Sequence, residues 1–186
     1  MFVIEQPAMA LNDTRGTTTV NMQINRTIQP EEGVTDILQK VVVAAKGTTD
    51  GKLKSLVLEC HGQPGQLIMG AGIDRSLVDR FSMLVVNKKP LVETIYLRSC
   101  LVARIDGPGS MSDGNLFCSA IAKNAKCTVV ASTAIQSQRS YKKSQGESLP
   151  YGMLDEFEGT VLFYGPEGNV WHSFTNPAMS FWSSNE

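Results

Sequence analysis

The sequence predicts a three-layer α/β fold, with a mostly parallel sheet and helices on both of its faces. Short apolar runs typical of buried strands alternate along the chain with amphipathic segments typical of helices. That alternation implies right-handed crossovers between parallel strands. Of the 186 residues, 42% are hydrophobic and 19% are charged. This balance is that of a globular domain long enough to bury a core of its own.

The first part of the chain is expected to supply two strands and the helix between them. Residues 17–25 are β-branched with alternating apolar positions and predict a strand, after an irregular lead-in over residues 1–16. A helix is predicted next, from the proline and acids at 30–32 to Lys46-Gly47. The apolar run 53–60 then predicts a buried strand.

The second part repeats this alternation and closes on a hairpin. Asp74 is predicted to cap a second helix, which leads to a strand over 91–99. Asp113 is predicted to cap a third helix, which leads to a short strand over 127–132. A turn of glycine and proline then separates two runs that predict a C-terminal β-hairpin, residues 160–164 and 169–174.

One domain is therefore predicted over residues 17–175, followed by a tail over 176–186. The net charge is −1 and no run of Lys and Arg is long, which argues against a nucleic-acid or anionic-membrane surface. No apolar stretch approaches the roughly 20 residues that span a bilayer, so no membrane insertion is expected. The N-terminus lacks the basic start of a signal peptide. A protein made in the cytoplasm is expected, and export would need a non-classical route.

A histidine and a cysteine follow two neighbouring strands of the predicted sheet. His61-Gly62 follows the run 53–60, and Cys100 follows the run 91–99. Parallel strands side by side would bring both side chains to one carboxyl edge, where ligands of open α/β folds gather. There a histidine can take the proton of a cysteine nucleophile and return it to a leaving amine. The backbone N–H groups of Gly62 and Cys100 would form an oxyanion hole.

The other cysteines and the second histidine have structural interpretations. Cysteine is among the most buried residue types, and Cys60, Cys118 and Cys127 fit that role. His61 and Cys100, taken singly, would fit it too. Their equivalent positions after consecutive strands favour catalysis instead. His172 lies in the predicted hairpin and is expected to be structural.

Two other interpretations of the same residues are weaker. Cys60, His61 and Cys100 lack a fourth ligand, and adjacent residues on a strand point to opposite faces. No metal and no cofactor is therefore expected. A disulfide between Cys60 and Cys100 is conceivable from strand adjacency, but nothing in the sequence indicates an oxidising compartment.

The residues around His61 and Cys100 resemble the caspase-like, or clan CD, cysteine peptidases. These carry His-Gly after one strand and Cys after the next, as do segments 56–62 and 95–100 here. The chain is more similar still to a bacterial branch of caspase-like domains found in large secreted or surface proteins. The similarity to that branch covers residues 17–175 and lies in His61–Gly70, in Cys100–Ala103, in the predicted helix 113–124 and in Val129–Thr133.

The resemblance implies a caspase-like fold and a cysteine endopeptidase acting on a protein or peptide. It implies His61 as general base and acid, Cys100 as nucleophile, and the Gly62 and Cys100 amides as the oxyanion hole. The chain departs from caspases proper at Leu101–Ala103, where those enzymes have a glycine. Two alternatives stay open: an inactive caspase-like interaction module, and a cysteine amidase or deamidase acting as an effector or toxin.

The loops around this site are expected to contact the substrate. They cover residues 63–72, 101–112 and 134–157, and self-cleavage near Lys142-Lys143 is one hypothesis for the last of them. The sequence indicates neither a cleavage specificity nor an oligomeric state.

Overall fold

The computed structural model describes residues 1–16, 18–105, 112–136 and 148–176. These residues form a mixed sheet of seven strands with a few helices, which confirms the α/β class. The strands are β1 (Ala8–Asp13), β2 (Ile24–Ile28), β3 (Leu53–Glu59), β4 (Val92–Arg98), β5 (Thr128–Ser132), β6 (Gly159–Tyr164) and β7 (Val170–Asn176).

The strand order across the sheet is β2-β1-β3-β4-β5-β6-β7. The first five strands in that order are parallel, and β6 and β7 form an antiparallel hairpin at one edge. The mostly parallel sheet and the C-terminal hairpin are thus confirmed. In the central pair, Glu59 at the end of β3 lies beside Arg98 at the end of β4. The residues that follow these two strands therefore emerge at the same edge.

Three helices connect the central strands: α1 (Val34–Lys46), a 3-10 helix (Arg75–Leu84) and α2 (Gly114–Ala125). The predicted caps are confirmed, because the carboxylates of Asp74 and Asp113 accept hydrogen bonds from Ser76 N and Leu116 N. The second helix is 3-10 and not α. Helix α1 begins at Val34 and not at residue 30, because Glu32 Oε1 accepts from Gln29 N and closes a turn before the helix.

The prediction of helices on both faces is wrong for the described residues. All three helices pack on one face, where Ile37, Phe81 and Phe117 join one core cluster. The connections from β2 to β3, β3 to β4 and β4 to β5 all advance in one direction, so right-handed crossovers place them on the same face. The connection from β1 to β2 runs the other way, and its short loop with Val20 and Met22 covers the opposite face.

That opposite face is packed by extended and irregular segments. It carries a second core cluster that includes Ile4, Val57, Val130, Leu154 and Phe157. Phe2–Val3 pairs with Met153–Leu154 in a two-stranded antiparallel ribbon, and Phe2 and Leu154 of this ribbon pack in the second core cluster. The protein is thus helical on one side of the sheet and non-helical on the other.

Two predictions at the N-terminus are wrong. Residues 1–16 are not an irregular lead-in, because β1 lies inside the sheet between β2 and β3 with all six of its residues buried. The strand predicted over 17–25 begins at Ile24, and the residues described before it form a loop. Val20 and Met22 alternate as in a strand because both side chains of this loop are buried in the core. Residues 177–186 of the predicted tail lie outside the described residues.

Three short antiparallel units complete the described chain. The first has three strands and directly follows β3, and the second lies between the 3-10 helix and β4. The third is the Phe2–Val3 ribbon already given. The strands of the first two are His61–Gln63, Gln66–Ile68 and Ile73–Asp74, and Val85–Val86 with Lys89–Pro90. Among the described residues, none of the helices has the length and apolar character needed to cross a membrane.

Candidate active site

One cleft at the carboxyl edge of the sheet is lined by both His61 and Cys100. Cys100 follows β4 after a single residue, and His61 follows β3 after a single residue. The cleft has a volume of about 90 Å³. Its other lining residues come from the ends of the same strands and from two loops, and they are Gly16, Glu59, Cys60, Arg98, Ser99 and Gln136.

His61 is the first residue of a small hairpin and is exposed. The hairpin turns at Pro64-Gly65 and pairs His61 with Ile68. The turn is attached to the loop after Cys100, because Gly65 N donates to Val102 O at 3.3 Å. The hairpin that carries the histidine is therefore joined to the segment that carries the cysteine.

Gly62 lies against the backbone at Cys100. A Cβ atom on Gly62 would lie 2.8 Å from Cys100 O, 2.8 Å from Ser99 Cβ and 3.4 Å from Cys100 N. In the hairpin Gly62 lies opposite Leu67, next to the pair that flanks the two-residue turn. Since bonded and non-bonded pairs alternate in an antiparallel ladder, the N–H of Gly62 points away from the Gln66–Ile68 strand. The close contact between the backbones of residue 62 and Cys100 therefore requires glycine at position 62. The N–H of Gly62 is directed away from Leu67, its partner in the hairpin.

Cys100 is half-buried, and its sulfur lies beside the backbone at Gln136. Gln136 N donates to Cys100 Sγ at 3.4 Å. The next residue, Leu101, has a left-handed backbone with φ of 60°, and its N–H donates to Ala134 O at 2.9 Å. Ala103 N donates to Ser132 O at 3.0 Å. The loop after the cysteine is thus bonded along the end of β5.

The other three cysteines are buried, and no disulfide joins any of the four. Burial raises the pKa of Cys60 and of Cys127 to about 12 and also raises the pKa of Cys118. Cys60 Sγ lies 3.1 Å from Ser99 Oγ, within hydrogen-bond distance. It forms no disulfide with Cys100. These three thiols are therefore poor nucleophiles, as the sequence indicated.

His172 lies on the hairpin of β6 and β7. Its ring centroid is 5.0 Å from that of Phe163 and 6.1 Å from that of Phe174. Its contacts are those of an aromatic cluster, which fits the structural role expected for it.

Buried charges lie at the base of the cleft, and sequence reasoning missed them. Arg98 Nη2 lies 3.8 Å from Asp155 Oδ2, and Arg98 Nη1 donates to Gln136 Oε1 at 3.4 Å. Burial raises the pKa of the neighbouring Glu59 to about 8, with Arg98 acting against this rise and Asp155 adding to it. Burial therefore favours the protonated form of Glu59. The only sequence signal of this cluster is that the apolar strands β3 and β4 each end in a charged residue, Glu59 and Arg98.

A second cluster, the Asp13–Arg15 clamp, holds the hairpin segment from the side of β1. The buried carboxylate of Asp13 accepts from Gly70 N at 2.8 Å and from Arg15 Nε and Nη2, each at 2.8 Å. Arg15 Nη2 also donates to Gly70 O at 2.7 Å and to Ile68 O at 3.3 Å. Ile68 is the residue opposite His61. The clamp therefore holds the end of the Gln66–Ile68 strand, which pairs with the strand that begins at His61.

We expect Asp13→Asn to loosen this clamp and to destabilise the protein by about 1.5–3 kcal/mol, because charge-assisted hydrogen bonds are lost in a buried site. Burial alone would raise the pKa of Asp13, but the hydrogen bonds from Arg15 and Gly70 lower it below its usual value. The stabilisation that the Asp13 carboxylate gives the folded protein is therefore complete above about pH 4, the pKa of Asp in the unfolded chain. It is lost as the pH falls through the lower pKa that Asp13 has in the folded protein.

Urea unfolding should therefore show the largest difference between wild type and Asp13→Asn at neutral pH and a smaller one in acid. The amide of Gly70 should exchange faster in the variant. The matched control is Asp79→Asn, because the Asp79 side chain is 71% exposed. Unchanged exchange at Gly70 would show that Asp13 does not hold the hairpin segment.

The surrounding loops are described in part. Among the described residues of the three predicted loops, Gln136 lines the cleft, whereas those of 63–72 and 101–105 are not among its lining residues. Residues 106–111 and 137–147 lie outside the described residues, and with them the Lys142-Lys143 hypothesis. Within the described ranges, no group of three or more His, Cys, Asp or Glu side chains has the arrangement of a metal site. Comparisons of the chain with protein-family models, with curated proteins and with solved structures found no significant match.

Proposed function

We propose that this chain is a caspase-like cysteine endopeptidase, of the kind found in bacterial secreted or surface proteins. The observation that carries the proposal is the single cleft that His61 and Cys100 both line, with the backbone of Gly62 against Cys100. The cleft is at the carboxyl edge of a mostly parallel sheet, where α/β enzymes commonly bind ligands. The caspase-like assignment itself depends on the His-Gly and Cys motifs and their order.

The reaction divides peptide hydrolysis into two acyl transfers. Cys100 Sγ attacks the scissile carbonyl carbon while His61 takes the thiol proton. The C–N bond then breaks, His61 delivers the proton to the leaving amine, and a thioester remains on Cys100. Water, deprotonated by His61, attacks the thioester and releases the carboxylic acid product with the restored thiol.

Backbone amides stabilise the charges that develop along this path. The N–H groups of Gly62 and Cys100 are the proposed donors to the oxyanion of each tetrahedral intermediate. Gln136 N donates to Cys100 Sγ at 3.4 Å and would stabilise negative charge on the sulfur, while the thiol itself donates to Gln136 O at 3.8 Å. Each of these donors belongs to the backbone, and the one at Gly62 approaches Cys100 closely because glycine has no Cβ.

Labelling with a thiol-reactive acyl electrophile tests the dyad. Cys100 should label fastest of the four cysteines, because the other three are buried with raised pKa values. His61→Ala should slow the labelling of Cys100, since the base is gone, and His172→Ala is the matched control that should leave it unchanged. Equal, slow labelling of all four cysteines would contradict the catalytic assignment.

A peptide library tests the substrate class. Wild type should cleave peptides that Cys100→Ala leaves intact. Fast labelling of Cys100 without any peptide cleavage would contradict the peptidase and favour an amidase or deamidase. If Cys100 neither labels rapidly nor supports cleavage, the inactive interaction module becomes the better explanation.

A further inference from the structure

A second depression, the aromatic groove, lies on the non-helical face of the sheet and has a volume of about 520 Å³. Its floor is formed by buried residues of β5 and β6, Val130 and Val161. Aromatic rings form most of its walls. The remaining lining residues are Phe2, Tyr96, Glu156, Phe157, Phe163, Phe174 and Asn176.

The groove is apolar and partly exposed. Phe174 is 40% exposed although it is a large hydrophobic residue. Phe163 and Phe174 contact each other on one side with ring centroids 5.9 Å apart, and Phe2 and Tyr96 do so on the other at 6.1 Å. Among the described lining residues, Glu156 is the only charged one, and its side chain is 67% exposed at the rim. The group that fits the groove is therefore uncharged and large.

The aromatic groove and the catalytic cleft share a wall. The guanidinium carbon of Arg98, which lines the cleft, lies 5.9 Å from the ring centroid of Phe157, which lines the groove. The next residue, Glu158, donates its N–H to Gln136 Oε1 at 3.1 Å, and Gln136 N donates to Cys100 Sγ. A chain of direct contacts thus leads from the groove to the sulfur.

We propose that the aromatic groove is a substrate subsite that takes a large apolar side chain of the same polypeptide that is cut at Cys100. This inference rests on the proposed function. Arg98 and Phe157 on the two sides of the wall are 5.9 Å apart, and an extended peptide advances about 3.3 Å per residue, so a few residues of a bound segment span that separation. Burying a Phe or Leu side chain there contributes binding energy that the small cleft cannot supply.

Binding is tested first without catalysis, on Cys100→Ala. N-acetyl-L-phenylalaninamide is the probe, and N-acetylglycinamide is its control. The probe should shift the NMR signals of the Val130 and Val161 methyl groups, and the control should not. Phe174→Ser should weaken probe binding about tenfold. The matched variant is Trp171→Ser, because Trp171 is 58% exposed on the same strand and does not line the groove. Trp171→Ser should bind the probe as the parent does.

Substrate preference is tested second, on the active protein. Peptides that are cleaved well should carry a large apolar residue at a constant offset from the scissile bond. Replacing that residue by glycine should lower kcat/KM about tenfold in the wild type and should have little effect in Phe174→Ser. Trp171→Ser should keep the wild-type preference.

The outcomes separate the subsite from the proposed function. Cys100-dependent cleavage without an apolar preference would overturn the subsite and leave the peptidase standing. Probe binding without any Cys100-dependent cleavage would overturn the peptidase, and with it the assignment of the groove to a substrate. Absence of methyl shifts would also overturn the subsite, as would a Phe174-dependent self-association that excludes the probe.

Discussion

Gly62→Ala is expected to lower kcat/KM at least about 100-fold while the protein stays folded. The added Cβ would lie 2.8 Å from Cys100 O, closer than real Cβ atoms approach backbone. Either the hairpin or the Cys100 loop must then move, and both hold a proposed oxyanion donor. Loss of one such donor typically costs about 100–1,000-fold in rate. Gly62 does not have a left-handed backbone, so alanine causes no backbone strain there and the expected defect is a local steric clash.

Gly33→Ala is the matched control for this prediction. Gly33 precedes α1, and its added Cβ would meet only Asp36 Oδ2, at an ordinary 3.5 Å. Kinetics on a cleaved peptide and circular dichroism of both variants would complete the comparison. Wild-type kinetics in Gly62→Ala, with the fold intact, would remove the backbone of Gly62 from the mechanism.

Replacing Glu59 by Gln is expected to remove the loss of stability that the Glu59 carboxyl causes in wild type as pH rises from about 5 to about 8. Burial raises the pKa of Glu59 from 4.5 to about 8, so the folded state holds a proton that the unfolded state releases. The stabilisation from that proton is complete below the unfolded pKa and is lost as pH rises towards the folded pKa. The loss over this range is on the order of 3–4 kcal/mol, since one pKa unit is about 1.4 kcal/mol.

Urea unfolding at pH 5, 6.5 and 8 measures this slope. Glutamine has the shape of the protonated acid and does not titrate, so Glu59→Gln should be nearly as stable at pH 8 as at pH 5. The matched control is Glu93→Gln, because hydrogen bonds from Lys52 and Lys54 lower the pKa of Glu93 and keep it charged throughout this range. If Glu59→Gln kept the wild-type slope, the titrating group would be another one.

The sequence predicted the elements whose signals are local. Asp74 and Asp113 were found as caps because a capping side chain bonds to an amide two or three residues away. Strands β3, β4 and β5 were found because each is a short apolar run bounded by polar residues. The C-terminal hairpin was found because its turn residues lie between two such runs.

Strand β1 was missed because it is buried on both faces and therefore has no alternation. Its sequence, Ala8–Asp13, also lacks β-branched residues. The alternating apolar residues Val20 and Met22 predict a strand, but they lie in a loop that buries every second residue as a strand does. Which face of the sheet receives the helices was also beyond local patterns, since it depends on the order of the strands and the direction of each crossover.

By itself, the sequence determined the α/β class, the central parallel strands and the positions of His61, Gly62 and Cys100 after two of them. Only the tertiary structure decided what surrounds those residues. The Asp13–Arg15 clamp, the buried Arg98–Asp155 ion pair and the Gln136 amide at the sulfur all join segments far apart in the chain. Such contacts form when strands from distant parts of the chain pair side by side, and no local period or cap records that pairing.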